Sequence, residues 1–164
     1  MEKDCTDLLE TMQKQLEIYR MLLALAFEKQ PVLVKGDIPE LEAIIKEEEL
    51  IILQVGRLEE QRSVLHLALA NHFSLSPEEL SLSEIVKRTE GEMSQAFQQV
   101  FEEMTGVLKD LAEINQNNTN LIKSSLEYIN LTLDLLTNTD SVPVYNEQDE
   151  GKKHSAAKIF DRKI

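Results

Sequence analysis

Three histidines, one cysteine and a run of three glutamates are the residues with most chemistry to offer, and their spacing organises none of it. His66 and His72 stand six apart, which on a helix puts them on nonadjacent faces. The residues three before them are Ser63 and Leu69 rather than the glutamates that a di-iron bundle would need. Cys5 has no second cysteine and no nearby histidine, so it can build neither an internal disulfide nor a zinc site. Glu47-Glu48-Glu49 point around a helix instead of converging, and read as a solvated face. No His-Glu-x-x-His, glycine-rich phosphate loop or nucleophile elbow occurs. The expectation is a protein without catalytic residues, metal or cofactor, whose work is binding.

Composition narrows the class of partner. The chain of 164 residues has five glycines, four prolines, no tryptophan and only eight aromatics, a thin supply for turns and for a globular core, which argues for few and long elements. Its formal charge of −13, from 30 acidic against 17 basic residues, gives nucleic acid no basic surface to rest on apart from what the last residues carry. The longest apolar run, Met21 to Phe27, is far below the roughly 18 residues of a membrane span, so no membrane insertion is expected. The first residues carry no apolar signal core, and the sequons at Asn117 and Asn130 are then without meaning. A soluble, acidic, cytoplasmic, all-α protein is expected.

The apolar pattern fixes the elements. Cys5, Leu9, Met12, Leu16, Tyr19, Leu23 and Ala26 recur in alternating steps of four and three, the seam of a helix that supercoils with another, and Leu8, Leu22, Leu25 and Phe27 widen the stripe. Pro31 removes one amide and crowds the preceding turn, so a kink or short break is expected near Phe27 to Gln30. In Lys35-Gly36-Asp37-Ile38-Pro39-Glu40, glycine suits a helix C-cap, Asp37 an N-cap, Pro39 the first turn and Glu40 the capping-box position. The second helix, Ile38 to about Phe73, carries the seam Leu41, Ile44, Ile51, Val55, Leu58, Leu65 and Leu69. Glu48 and Arg62 fill its two vacant slots, where polar residues fix register or face solvent. Ser76-Pro77-Glu78-Glu79 predicts a short connecting helix from Pro77 to about Arg88.

After Gly91 comes the longest pattern: Met93, Phe97, Val100, Met104, Val107, Leu111 and Ile114, flanked by Phe101 and Leu108. It resumes as Ile122, Leu126, Ile129, Leu133 and Leu136, with eight residues from Ile114 to Ile122 where a heptad gives seven. The extra residue predicts a buried face rotated by about 100 degrees in the second half of the rod, and it coincides with Asn115, Gln116, Asn117, Asn118 and Asn120. Met12, Met93 and Met104 sit on the seams as core filler. Residues 1–138 are thus expected to form an elongated antiparallel helical bundle or coiled coil of two to three long helices with a short connecting one. Residues 139–164 are expected to form a flexible basic tail, whose last 13 residues carry five cations against Asp161. The tail keeps Val142, Val144, Tyr145, Ile159, Phe160 and Ile164, too few to fold alone but enough to anchor on a partner.

Order and layout together make the chain resemble the FlgN-type flagellar export chaperones. On the second helix, Lys46, Leu50, Leu53 and Leu58-Glu59-Glu60-Gln61-Arg62 are similar to a stretch of leucines closing in Leu-Glu-x-x-Arg. Leu111 with Asn115 to Ile122 is similar to an asparagine-rich segment leading into paired apolar residues, and Tyr145 to Gly151 is similar to the opening of a basic C-terminal segment. The resemblance implies an escort that binds the C-terminal helical segments of the hook-filament junction proteins FlgK and FlgL, with Leu126, Ile129, Leu133 and Leu136 facing the client and Val144, Ile159 and Phe160 assisting. It implies docking to the export gate protein FlhA through Tyr145. A self-assembling coiled-coil scaffold is the alternative that the seams allow, and they leave a homodimer open.

Overall fold

Four helices form where the apolar periodicity calls for them: α1 (Glu2–Lys35), α2 (Ile38–Phe73), α3 (Leu82–Arg88) and α4 (Gly91–Asn138). The computed structural model describes residues 2–138, which contain no strand. The described residues divide into two units, one ending at Glu127 and one starting at Tyr128. The tail at 139–164, with Val144, Tyr145, Ile159 and Phe160, lies outside the described residues.

Within the first unit, side-chain ties set the helix directions. Asp4 meets His72, Gln15 meets Glu59 and Lys29 meets Glu48, so α2 runs back along α1. Arg20 meets Glu103 and Ala26 meets Asn118, so α4 runs in the direction of α1 and against α2. The turn between α1 and α2 is as expected: Gly36 adopts φ +69°, and Asp37 N–H reaches back to the Val32 carbonyl at 3.2 Å. Asp37 Oδ1 then accepts from Glu40 N–H at 3.2 Å, with a proline in the first turn of α2.

Two local signals are overruled here by burial against the rest of the chain. No break follows Phe27: α1 continues through Pro31 to Lys35, and Val32 is buried, so packing of the last turn outweighs the amide the ring removes. Phe27 itself does not join the buried stripe and stands 54% exposed. The connecting helix begins at Leu82 rather than Pro77. Two Ser-x-x-Glu signals lie in succession, and both fold. Glu79 accepts from Ser76 N–H at 2.9 Å in a single turn, whereas Ser81 Oγ caps α3 by accepting from Glu84 N–H at 3.2 Å. Between them Leu80 is buried and the His66 ring nitrogen holds its carbonyl at 2.7 Å, which pulls the chain into the core before a longer helix can form.

All four helices share one core cluster. Cys5, Leu8 and Met12 meet Leu69 and Ala70, with Leu80, Ile85, Phe97 and Val100 closing over them. Phe97, Leu8, Leu69 and Ile85 are the largest fully buried apolar side chains. A second cluster, Leu22, Leu25, Val32, Ile44 and Ile51, belongs to the α1–α2 hairpin, with Leu111 of α4 packed against it. The buried side of α4 does not rotate at the asparagines, contrary to the spacing of its apolar residues. It continues from Ile114 to Asn118, only 3% exposed, and to half-buried Leu121, keeping the steps of four and three.

Asn118 therefore occupies a seam position. Its Nδ2 donates to the Ala26 carbonyl at 2.7 Å, and its Oδ1 has no hydrogen-bond partner. A buried acceptor left unmade costs about 1–3 kcal/mol. The Ala26 carbonyl lies inside α1, where the helix ladder supplies its own donor. Asn118→Leu is accordingly expected to raise the denaturant midpoint by the equivalent of about 1 kcal/mol while weakening amide-exchange protection along α4, since register loses a polar pin. Thermal or urea unfolding combined with hydrogen exchange checks both halves; a less stable variant would mean that the single bond outweighs the orphaned oxygen.

Candidate functional site

Past Leu121 the apolar residues of α4 leave the seam. Ile122 and Leu126, in the first unit, stand 42% and 54% exposed. Ile129, Leu133 and Leu136, in the second, stand 51%, 52% and 64% exposed, beside Tyr128 and Leu131, which are also open to solvent. The helix is maintained by its own ladder, with Thr132 Oγ bonded to the Tyr128 carbonyl and Thr137 Oγ to that of Leu133, each at 2.9 Å. Apolar side chains spaced at four and three on one helix suit the face of another amphipathic helix. Of the site residues expected from sequence, these four are described; Val144, Tyr145, Ile159 and Phe160 are outside the described residues.

The titratable groups are committed to architecture. Glu59 accepts from Gln15 Nε2 at 2.9 Å and from Arg62 Nε at 3.0 Å, and Gln15 is buried, so the Leu-Glu-x-x-Arg motif clips α2 to α1. The Arg62 guanidinium, then the Gln15 amide, hold the Glu59 carboxyl below the usual range. Glu48, the second polar seam residue, pairs with Lys29, both about 15% exposed, while Glu47 and Glu49 are exposed, so the three consecutive carboxylates diverge. Burial pushes the Cys5 thiol up, away from the thiolate that a nucleophile needs. Among the described residues no group of three His, Cys, Asp or Glu side chains is gathered as a metal ion requires. No described helix is long and apolar enough to cross a membrane. The clip made by Glu59 was missed from sequence because a glutamate one place off the seam looks like any surface residue; its spacing of three from Arg62 was the available signal.

These features define an all-α bundle whose exposed chemistry is apolar helix surface. The chain belongs to the FlgN family, whose model, described as FlgN protein, matches residues 1–152, and this is a family of flagellar chaperones. A protein of Bacillus subtilis (strain 168), described as Uncharacterized protein YvyG, is 25% identical over 158 residues, covering 95% of this chain and 96% of that protein. No solved structure matches the chain.

The Glu59 clip carries a pH dependence. A carboxyl held low in the fold contributes stability that is present above its ordinary value of 4.5 and is lost as pH falls through the lowered one. The unfolding midpoint is expected to drop as pH is taken below that value, and Glu59→Gln is expected to lower the midpoint at neutral pH while flattening its acid dependence. Glu84 and Glu103, also held low, keep part of the slope in the variant. Parallel melts of the two proteins from neutral to acid pH test this; identical slopes would remove Glu59 from the account.

Proposed function

We propose that this chain is a flagellar type III export chaperone of the cytoplasm. It binds the C-terminal helical segments of hook-filament junction proteins of the FlgK and FlgL type, prevents their premature association, and delivers them to the export gate protein FlhA. The observation that carries the reading is the exposure of Leu126, Ile129 and Leu133 by more than half on a long helix of a FlgN-family chain. Exposed leucines at helical spacing cost solvation unless something covers them, and an amphipathic helix is the complementary shape. Client termini kept unfolded for export are such helices, prone to pair with one another, and an apolar helix face masks them until release.

In this reading Leu126, Ile129, Leu133 and Leu136 contact the client, Val144, Ile159 and Phe160 extend the contact from the basic tail, and Tyr145 anchors in a groove of the gate. Ordering a segment on binding lowers net affinity, which suits a complex that must be dismantled. No nucleotide or other cofactor is required, because competition between interfaces performs the handover.

Leu133→Asp is expected to weaken binding of a junction-protein C-terminal peptide by about tenfold to a hundredfold, the equivalent of one buried leucine, with the melting midpoint unchanged because Leu133 is half exposed. Calorimetric titration beside thermal melts reads both; unchanged affinity would remove Leu133 from the client face. Tyr145→Ala is expected to reduce affinity for the purified cytoplasmic part of the gate protein while circular dichroism and client binding stay as they were. Equal gate affinity would refute the anchor.

A further inference from the structure

The helix α2 carries a second seam that the fold does not use. Leu50, Leu53, Arg57, Glu60, Val64 and Leu67 follow one another in steps of three and four, and the apolar four stand 63%, 63%, 62% and 47% exposed. The inner seam that packs on α1 runs through Ile51, Val55, Leu58 and Leu65, nearly opposite on the helix. Solvent-facing residues of a lone helix have no reason to keep heptad spacing, whereas a helix in a coiled coil must.

The order of residues along this face says what covers it. In an antiparallel pair of identical helices with the two-fold axis between Leu58 and Glu59, Leu50 meets Leu67 of the second copy and Leu53 meets Val64. The same register places Arg57 opposite Glu60 of the second copy, and by symmetry Glu60 opposite Arg57, so both charges find an opposite. A parallel pair would stack arginine on arginine and glutamate on glutamate. The flanking positions Gln54, Gly56, Gln61 and Ser63 are uncharged, in a chain with 30 acidic residues. Gly56 has open space where a Cβ would stand, so the chain's own packing does not demand it, yet a glycine inside a helix costs about 1 kcal/mol relative to alanine. Close approach of a second backbone is a use for that missing side chain.

We propose that the outer face of α2 is a self-association surface on which two copies of this chain pair antiparallel, with two Arg57–Glu60 contacts at the centre and the leucine and valine layers on either side. The face is separate from the α4 residues assigned to the client and does not rest on that assignment. A contact of 18 helical residues per copy, about 27 Å long, is small for a permanent interface, so the dimer is concentration-dependent.

Sedimentation velocity on the full chain from about 1 μM to about 1 mM tests this, with the mass expected to rise towards that of a dimer and no further. Leu53→Asp is expected to abolish the rise. Arg57→Glu and Glu60→Arg are each expected to raise the dissociation constant by about tenfold, because each puts like charges in both central contacts, and the two together to restore it. Circular dichroism reports whether each variant keeps its helices, which exposed positions should allow. A monomer at every concentration, assembly beyond the dimer, a dimer indifferent to these changes, or a double variant no better than the singles would overturn the proposal. So would a monomer whose Leu53→Asp variant loses client-peptide binding, which would give the face to the client.

Discussion

Register is the constraint on which the rest of this molecule depends. Long helices with leucine-rich seams can slide by a heptad, about 10 Å, and still lay apolar against apolar, so burial alone leaves the alignment nearly degenerate. Three polar ties remove that freedom: Lys29 with Glu48, Gln15 with Glu59 and Arg62, and Asn118 with the Ala26 carbonyl. Each places a charged or amide group where a hydrophobe would pack better, and a slip would strand it against apolar surface at several times the energy of the bond it makes when matched. The cost in stability is small because the matched alignment also brings Leu8, Leu69, Ile85 and Phe97 into one cluster.

The ties explain why the core is uneven along its length. Where α1 begins, α2 ends and α4 begins, α3 and Leu80 close over the bundle and the buried cluster draws on every helix. Along the α1–α2 hairpin the cluster is mainly a two-helix affair with Leu111 at its edge. Asn118 is the last fully buried residue of α4, and the unsatisfied Oδ1 beside its single bond marks the seam giving way to a face of different use. Buried contacts are concentrated in one part of the bundle and exposed apolar surface is left in another, a division that would let binding proceed without perturbing the fold.

Much of this was legible in the sequence where one local signal governed. Asp37 with Pro39, Gly36 at the turn, and the span of α2 each follow from capping chemistry that tertiary contacts do not override. Reading failed where a distant contact decided. Pro31 forbids a helix locally but not when Val32 beyond it is buried, and two equal Ser-x-x-Glu signals are told apart only by the burial of Leu80. Asn118 was hidden by its type: counting apolar residues skips an asparagine, so the buried seam seemed to end at Ile114 when it continues through Asn118 to Leu121 before the apolar stripe changes phase. The exposure of Leu126, Ile129, Leu133 and Leu136 could not be read from periodicity, which tells that residues share a face but not whether that face is covered.

The phase of α4 argues that this exposure is built in rather than left over. Continuing the seam from Leu121 in steps of four and three leads to Ser125, Tyr128 and Thr132, whereas Leu126, Ile129 and Leu133 each stand one place later. A helix that simply outran its partners would be expected to keep leucines on the old phase or to lose them altogether. Here the old phase takes Ser125, Tyr128 and Thr132 before it meets a leucine again at Leu135, while a new apolar stripe through Leu126, Ile129, Leu133 and Leu136 is maintained at about 100 degrees to it. Both changes cost stability in the free protein, one by giving up burial and the other by wetting leucines. They make physical sense together if the stripe is addressed to a helix from another chain.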